Sequence, residues 1–296
     1  MKVKRKFKKR TQTSIIINAF FILTTIITLY PLIYVLSVSL SSGLAFSRGE
    51  VVLFPIDITF ESYRYVLKDM SFWGSYSNTF IYVIFGTIFN MVITVLAAFP
   101  LSRRDFKLRN SLNKFLVLTM WLGVGMIPQY LNYKSLGMTN SRIAIILGFG
   151  LSAFNIILLR NYFENNIPKD LEEAAEIDGA NLFQVLNNVY LPLSKSIVAT
   201  LTTFYGVMRW NSWFWESLLL KDVNKIPLQV YIRKQLTTLN EIMNSMDQEA
   251  IIGNGLISYE TVFYALLVCS LIPIVIGLPY LAKYFSKGVL SGSVKS

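Results

Sequence analysis

Six stretches of this chain are apolar for about as long as a bilayer is thick, and nothing else in it limits the fold as much. They cover residues 14–40 and, approximately, 76–98, 114–133, 142–162, 196–220 and 259–280. A helix needs roughly 20 apolar residues to cross a hydrocarbon core of about 30 Å. Lipid offers the backbone no hydrogen-bond partners, so a crossing segment satisfies its own N–H and C=O groups by being helical. The expected class is therefore an all-α polytopic membrane protein with about six transmembrane helices. Composition agrees: 53% hydrophobic and 15% charged, against about 45–50% and 25% in soluble domains.

The same residues thin out the function classes. Histidine is absent, which removes the usual general base and the commonest metal ligand. The single cysteine, Cys269, lies in an apolar run and has no internal disulfide partner. No G-x-x-x-x-G-K-[ST] phosphate cradle occurs, so a nucleotide would have to be held by another polypeptide. No catalytic residue, resident cofactor or metal site is expected. The net charge of +11 could suit nucleic acid, but the basic residues sit at membrane edges, where the positive-inside bias is the simpler cause.

Read in order, a basic tail (1–13) precedes the first span (14–40), which carries Pro31 and is too long for a signal-peptide core. An external loop (41–74) follows, with a short amphipathic helix around Phe60, Tyr63, Val66 and Leu67. Residues 75–283 hold five further spans, with cytoplasmic loops at 99–113 and 164–195 and a polar external loop at 221–258. A second tail (284–296) ends the chain. Of the 28 Lys and Arg residues, 18 fall on segments read as cytoplasmic and nine on external ones, with Arg209 inside a span. Both termini are thus expected in the cytoplasm. Gly123, Gly125 and Pro128 predict a bend in the third span.

The densest acidic run lies between the fourth and fifth spans, from Glu164 to Lys195. Pro168 suits a helix start. Leu171, Ala174 and Ala175 recur at i, i+3, i+4 among Glu172, Glu173 and Glu176, and Gly179 suits a helix end. Leu182, Val185, Leu186 and Val189 then form a second apolar stripe, closed by Leu191-Pro192. Glu173-Ala174-Ala175, then Gly179 flanked by Asp178 and Ala180, then Val189 and Leu191-Pro192: this pattern resembles the EAA loop of bacterial ABC importer permeases, with valine at a position more often isoleucine. Softer likenesses to the carbohydrate-uptake branch of type I importers occur at Asn78-Thr79, Met126-Ile127-Pro128, Trp210-Asn211 and the C-terminal tail.

That resemblance implies a type I permease fold with a cytoplasmic EAA coupling loop, in a bacterial cell membrane. It implies a second, similar permease subunit, two ATPase subunits binding ATP and Mg, an extracellular sugar-binding lipoprotein and a saccharide substrate. The residues expected to couple to the ATPase are Glu172, Glu173, Ala174, Ala175, Asp178, Gly179, Ala180, Leu191 and Pro192. Charge reversal at Glu173 is expected to uncouple the ATPase. A second cluster, Arg209, Trp210, Asn211, Trp213 and Glu216, places ionisable and aromatic groups together in the fifth span. An ionised group at bilayer depth costs about 2.5–3.5 kcal/mol on insertion scales, so such residues face a cavity or a partner. They are the candidates for the translocation path. Two rivals are a permease for another solute and an ion-coupled carrier. The carrier would leave the EAA pattern unexplained and would call for paired intramembrane carboxylates or an inverted repeat.

Overall fold

The computed structural model describes residues 12–148, 150–244, 251–252 and 255–290. Most of the basic tail and the last six residues lie outside them. The described chain is helical apart from one two-residue hairpin. In order it runs α1 (Gln12–Ser39), α2 (Gly43–Ser47), α3 (Glu61–Lys68), α4 (Met70–Ser102), α5 (Arg109–Trp121), α6 (Met126–Ser135), α7 (Arg142–Leu147) and α8 (Ala153–Asn166). Then come α9 (Lys169–Ile177), α10 (Leu182–Val185), a π turn (Leu186–Tyr190), α11 (Leu191–Leu193), α12 (Lys195–Trp210), α13 (Phe214–Leu219) and α14 (Leu228–Asn244). Strands β1 (Ile251–Ile252) and β2 (Ile257–Ser258) and helix α15 (Tyr259–Leu290) complete it.

Among the described residues, three helices are long and apolar enough to cross a membrane: Ile16–Ser39, Met70–Ser102 and Tyr259–Gly277. The pair α5 and α6 makes a fourth, bent by 115°. The bend falls on Gly123 and Gly125, and Pro128 sits in the first turn of α6, where its missing N–H is no loss. The stretches expected as single fourth and fifth spans are each split, at 148–152 between α7 and α8 and at 211–213 between α12 and α13. The polar loop expected at 221–258 contains the 17-residue helix α14. The amphipathic helix expected near Phe60 is α3.

The chain divides into two compact units. One comprises the residues up to Asp69 together with Gln235–Leu271. Its small core is Val38, Ala45 and Val51, with Tyr34, Phe46, Ile56 and Tyr264 around it. Tyr63 and Ser39 share a 2.7 Å hydrogen bond, and Ser62 donates to Thr261 at 3.0 Å. Gly43 lies against the backbone of Ile257, so close that a Cβ would meet its carbonyl carbon at 2.8 Å.

The other unit comprises Met70–Lys234 and the residues from Ile272 on. It is built on α4, which buries a stripe of small and polar residues at intervals of about four: Asn78, Tyr82, Gly86, Asn90, Thr94 and Ala98. At one end Asn78 donates to the carbonyls of Asn224 (2.8 Å) and Ile226 (3.1 Å) and accepts from Arg142 (2.9 Å), while Tyr82 donates to Lys225 O (2.6 Å). One turn before Ala98, Thr94 and Tyr205 of α12 share a 2.7 Å bond. At the other end Ala98, Phe99 and Leu101 join Ile156, Leu159, Phe163, Val185, Tyr190 and Leu201 in a contiguous hydrophobic core. This core carries the acidic loop.

Candidate functional site: the acidic loop and the broken fifth span

Helix α9 starts after Pro168 and ends at Asp178. Gly179, at φ +82°, donates to Glu176 O (3.0 Å), and Ala180 N donates to Ala175 O (2.9 Å). These are the two hydrogen bonds of a Schellman ending, whose left-handed residue favours glycine. Asn181 then opens the second helix with a full capping box: its side chain accepts from Gln184 N (3.0 Å), and its own N–H donates to Gln184 Oε1 (2.8 Å). Pro192 has no N–H for Asn188, and the chain passes as a π turn immediately before it. Helix-turn-helix geometry here follows residue by residue from the motif.

The side chains of α9 divide by face. Ala175 packs against the core, while Leu171, Glu173, Ala174 and Ile177 are exposed, Ile177 by 86%. Glu172, half-buried, and Glu176, itself exposed, both reach Arg103, which stands just past the end of α4. Arg103 pairs with Glu172 Oε1 at 2.8 Å, Glu176 Oε1 at 2.9 Å and, through two parallel hydrogen bonds of 3.0 Å, with Asp105. The Asp105 hydrogen bonds hold the guanidinium above its ordinary range and the Asp105 carboxyl below its own. Tyr190 donates to Glu172 Oε2 at 2.7 Å. Burial and the neighbouring carboxylate both push the phenol up. A second ion group lies alongside: Glu164 accepts from Arg109 (2.5 Å) and Arg160 (2.7 Å). Burial works to raise the Glu164 carboxyl, but those cations outweigh it and hold it below the usual range.

In the fifth span the structure separates residues that the sequence groups. Arg209, Trp210 and Glu216 are buried. The Arg209 guanidinium donates to Ile145 O, to Ile146 O (3.0 Å) and to Asn90 Oδ1 (2.9 Å). It thus caps the carbonyl end of α7, where the fourth span breaks. Gly86 gives it room, since a Cβ there would lie 2.9 Å from Arg209 Nε. Trp210 is ringed by Tyr76 and Phe80, and Glu216 accepts from Ser212 Oγ at 2.6 Å. Asn211 is the exposed C-cap of α12, and Trp213 is half-buried beneath Arg233, whose Cζ lies 3.2 Å from the ring centroid. Trp210 and Trp213 therefore sit in different surroundings.

Sequence reasoning missed Arg103 as a site residue and read it only as a cytoplasmic charge. A signal was present. Glu172 and Glu176 lie four apart on one helix face, where like charges repel and a cation between them is favoured.

A family model described as "Binding-protein-dependent transport system inner membrane component" matches residues 97–291. The chain is similar to the polygalacturonan/rhamnogalacturonan transport system permease protein YtcP of Bacillus subtilis, at 34% identity over 95% of this chain and 97% of that one. It is similar to the melibiose/raffinose/stachyose import permease protein MelC of the same organism, at 29% identity over 82% and 83%. Among solved structures it resembles a chain of a bacterial ABC transporter involved in the import of the acidic polysaccharide alginate, with a TM-score of 0.86 and 41% identity, covering 94% of this chain and 99% of that one.

Proposed function

The chain belongs to the binding-protein-dependent transport system inner membrane component family, as a permease subunit of an ABC importer, and we propose that its cargo is an oligosaccharide. Most of the substrates named for its relatives are saccharides, the alginate of the solved transporter being an acidic one, while one relative is named for sn-glycerol-3-phosphate. A second permease chain completes the membrane path, a separate ATPase pair drives it, and an extracellular lipoprotein delivers the sugar. Both termini lie in the cytoplasm with the α9 loop.

The observation that carries this reading is the outward face of α9. Leu171, Ala174 and Ile177 are exposed apolar positions beside the exposed carboxylate of Glu173, on a chain without a nucleotide cradle of its own. Small residues permit close approach, and a carboxylate offers a pairing site for a basic groove. Access alternates: ATP closing the partner subunits moves α9, and the spans re-orient around the cargo. We assign cargo contact in the fifth span to the exposed Asn211 and the half-buried Trp213.

Purification of the tagged chain from its host membrane, with partners identified by mass, tests the assembly. Recovery of a second permease, an ATPase and a saccharide-binding lipoprotein, with ATP-dependent saccharide uptake in vesicles, is expected. A lone monomer with proton-coupled uptake would overturn the reading.

A further inference from the structure

We propose that Arg103 is the strut joining the coupling helix α9 to the spanning helix α4, so that a displacement imposed on α9 reaches the membrane path through this guanidinium. The proposal rests on the reading of α9 as the ATPase contact.

Arg103 directly follows Ser102, the last residue of α4, and its N–H still bonds Pro100 O at 3.2 Å. Its backbone therefore moves with that helix. Its side chain is only 11% exposed and reaches Glu172 and Glu176, one turn apart on α9. Its planar guanidinium fixes the direction of the hydrogen bond to Glu176, which a lysine ammonium would not, while Glu172 is held as an ion pair at 2.8 Å. Asp105 fixes the fork from the other side through its two parallel bonds.

The contact matters because α9 has little else. None of its nine residues is buried, so packing alone does not position it. Tyr190 backs up the same carboxylate, and its ring meets Phe99 of α4 edge-on at 4.9 Å. Two of the three glutamates of α9 are thus addressed to their own chain. Glu173 is left for the partner.

The test uses the assembled importer in lipid vesicles, with Arg103→Gln and Arg103→Lys compared with wild type. Three quantities are read: ATPase retained on purification, saccharide imported per ATP hydrolysed, and hydrogen exchange of the 169–177 amides. Arg103→Gln is expected to keep the ATPase bound and hydrolysing. Its import per ATP should fall about tenfold, within the usual range of coupling between sites, and its α9 amides should exchange about tenfold faster. Arg103→Lys should recover part of both. Wild-type import per ATP in Arg103→Gln sinks the strut, as does loss of the ATPase from the complex, which would make Arg103 a docking residue. If wild type imports no saccharide, the cargo reading fails, and the exchange comparison alone decides the strut: faster exchange in the variant supports it, and equal exchange overturns it.

Discussion

The hydroxyl of Tyr190 donates to Glu172 across eighteen residues, at 2.7 Å, while its ring stands edge-on to both Phe99 and Phe163. One side chain so joins the coupling helix to two helices of the core. Tyr190→Phe keeps the ring and removes only the bond to a charged group, worth about 1.5–3 kcal/mol. Tyr190→Ala also empties the ring site, for about 3–5 kcal/mol in a core. Thermal unfolding of the purified importer should rank wild type above Phe above Ala. Equal midpoints for wild type and Phe would show that the bond to Glu172 contributes nothing.

Gly179 separates backbone strain from steric contact. Nothing lies within 4 Å of where its Cβ would stand, yet its φ is +82°. Gly179→Ala therefore meets no clash and costs about 1–2 kcal/mol of left-handed strain. Gly179→Pro cannot adopt the angle and loses the 3.0 Å bond to Glu176 O. Uptake should fall modestly for Ala and be abolished for Pro, with membrane insertion retained in both, as followed by fractionation and transport. Full uptake in the proline variant would remove the loop from the coupling route.

The helix pair 169–193 was legible because each step is local: a proline start, a glycine end and an apolar stripe. The broken spans were only half legible. Gly123, Gly125 and Pro128 announced the bend between α5 and α6, but the split between α7 and α8 depends on Arg209 from another helix taking up the freed carbonyls. Nothing near Gly148 in the sequence points to residue 209. The cluster of Arg209, Trp210, Asn211, Trp213 and Glu216 was legible only as a neighbourhood, because proximity in the chain says nothing about direction once the helix breaks at 211–213.

Glu164 gives a pH-dependent test with a definite sign. Its carboxyl lies below the usual range in the folded chain, because Arg109 and Arg160 outweigh burial. The group thus adds stability above about pH 4.3, the unfolded value, and loses it as pH falls through the lowered one. With the side chain 24% exposed, the effect is about 1 kcal/mol. The difference in unfolding midpoint between wild type and Glu164→Gln should hold steady from neutral pH down to about 5 and close below 4. A difference that widens in acid would reverse the assignment.

Arg209 and Asn211 stand two residues apart and should fail in different ways. Arg209→Gln strips donors from two carbonyls of α7 and from Asn90, and each unsatisfied buried group costs about 1–3 kcal/mol. Its yield of assembled importer should collapse, with the remaining complexes showing an ordinary KM for saccharide. Asn211→Ala loses one exposed 2.9 Å bond to Val207 O, and Trp213→Ala loses a half-buried ring, so both should assemble normally. If these two face the cargo, each raises KM or lowers the rate of uptake severalfold at unchanged yield. Normal assembly of Arg209→Gln with a shifted KM would move Arg209 from the cap of α7 to the wall of the path. Unchanged kinetics in both Asn211→Ala and Trp213→Ala would remove the fifth span from substrate contact altogether.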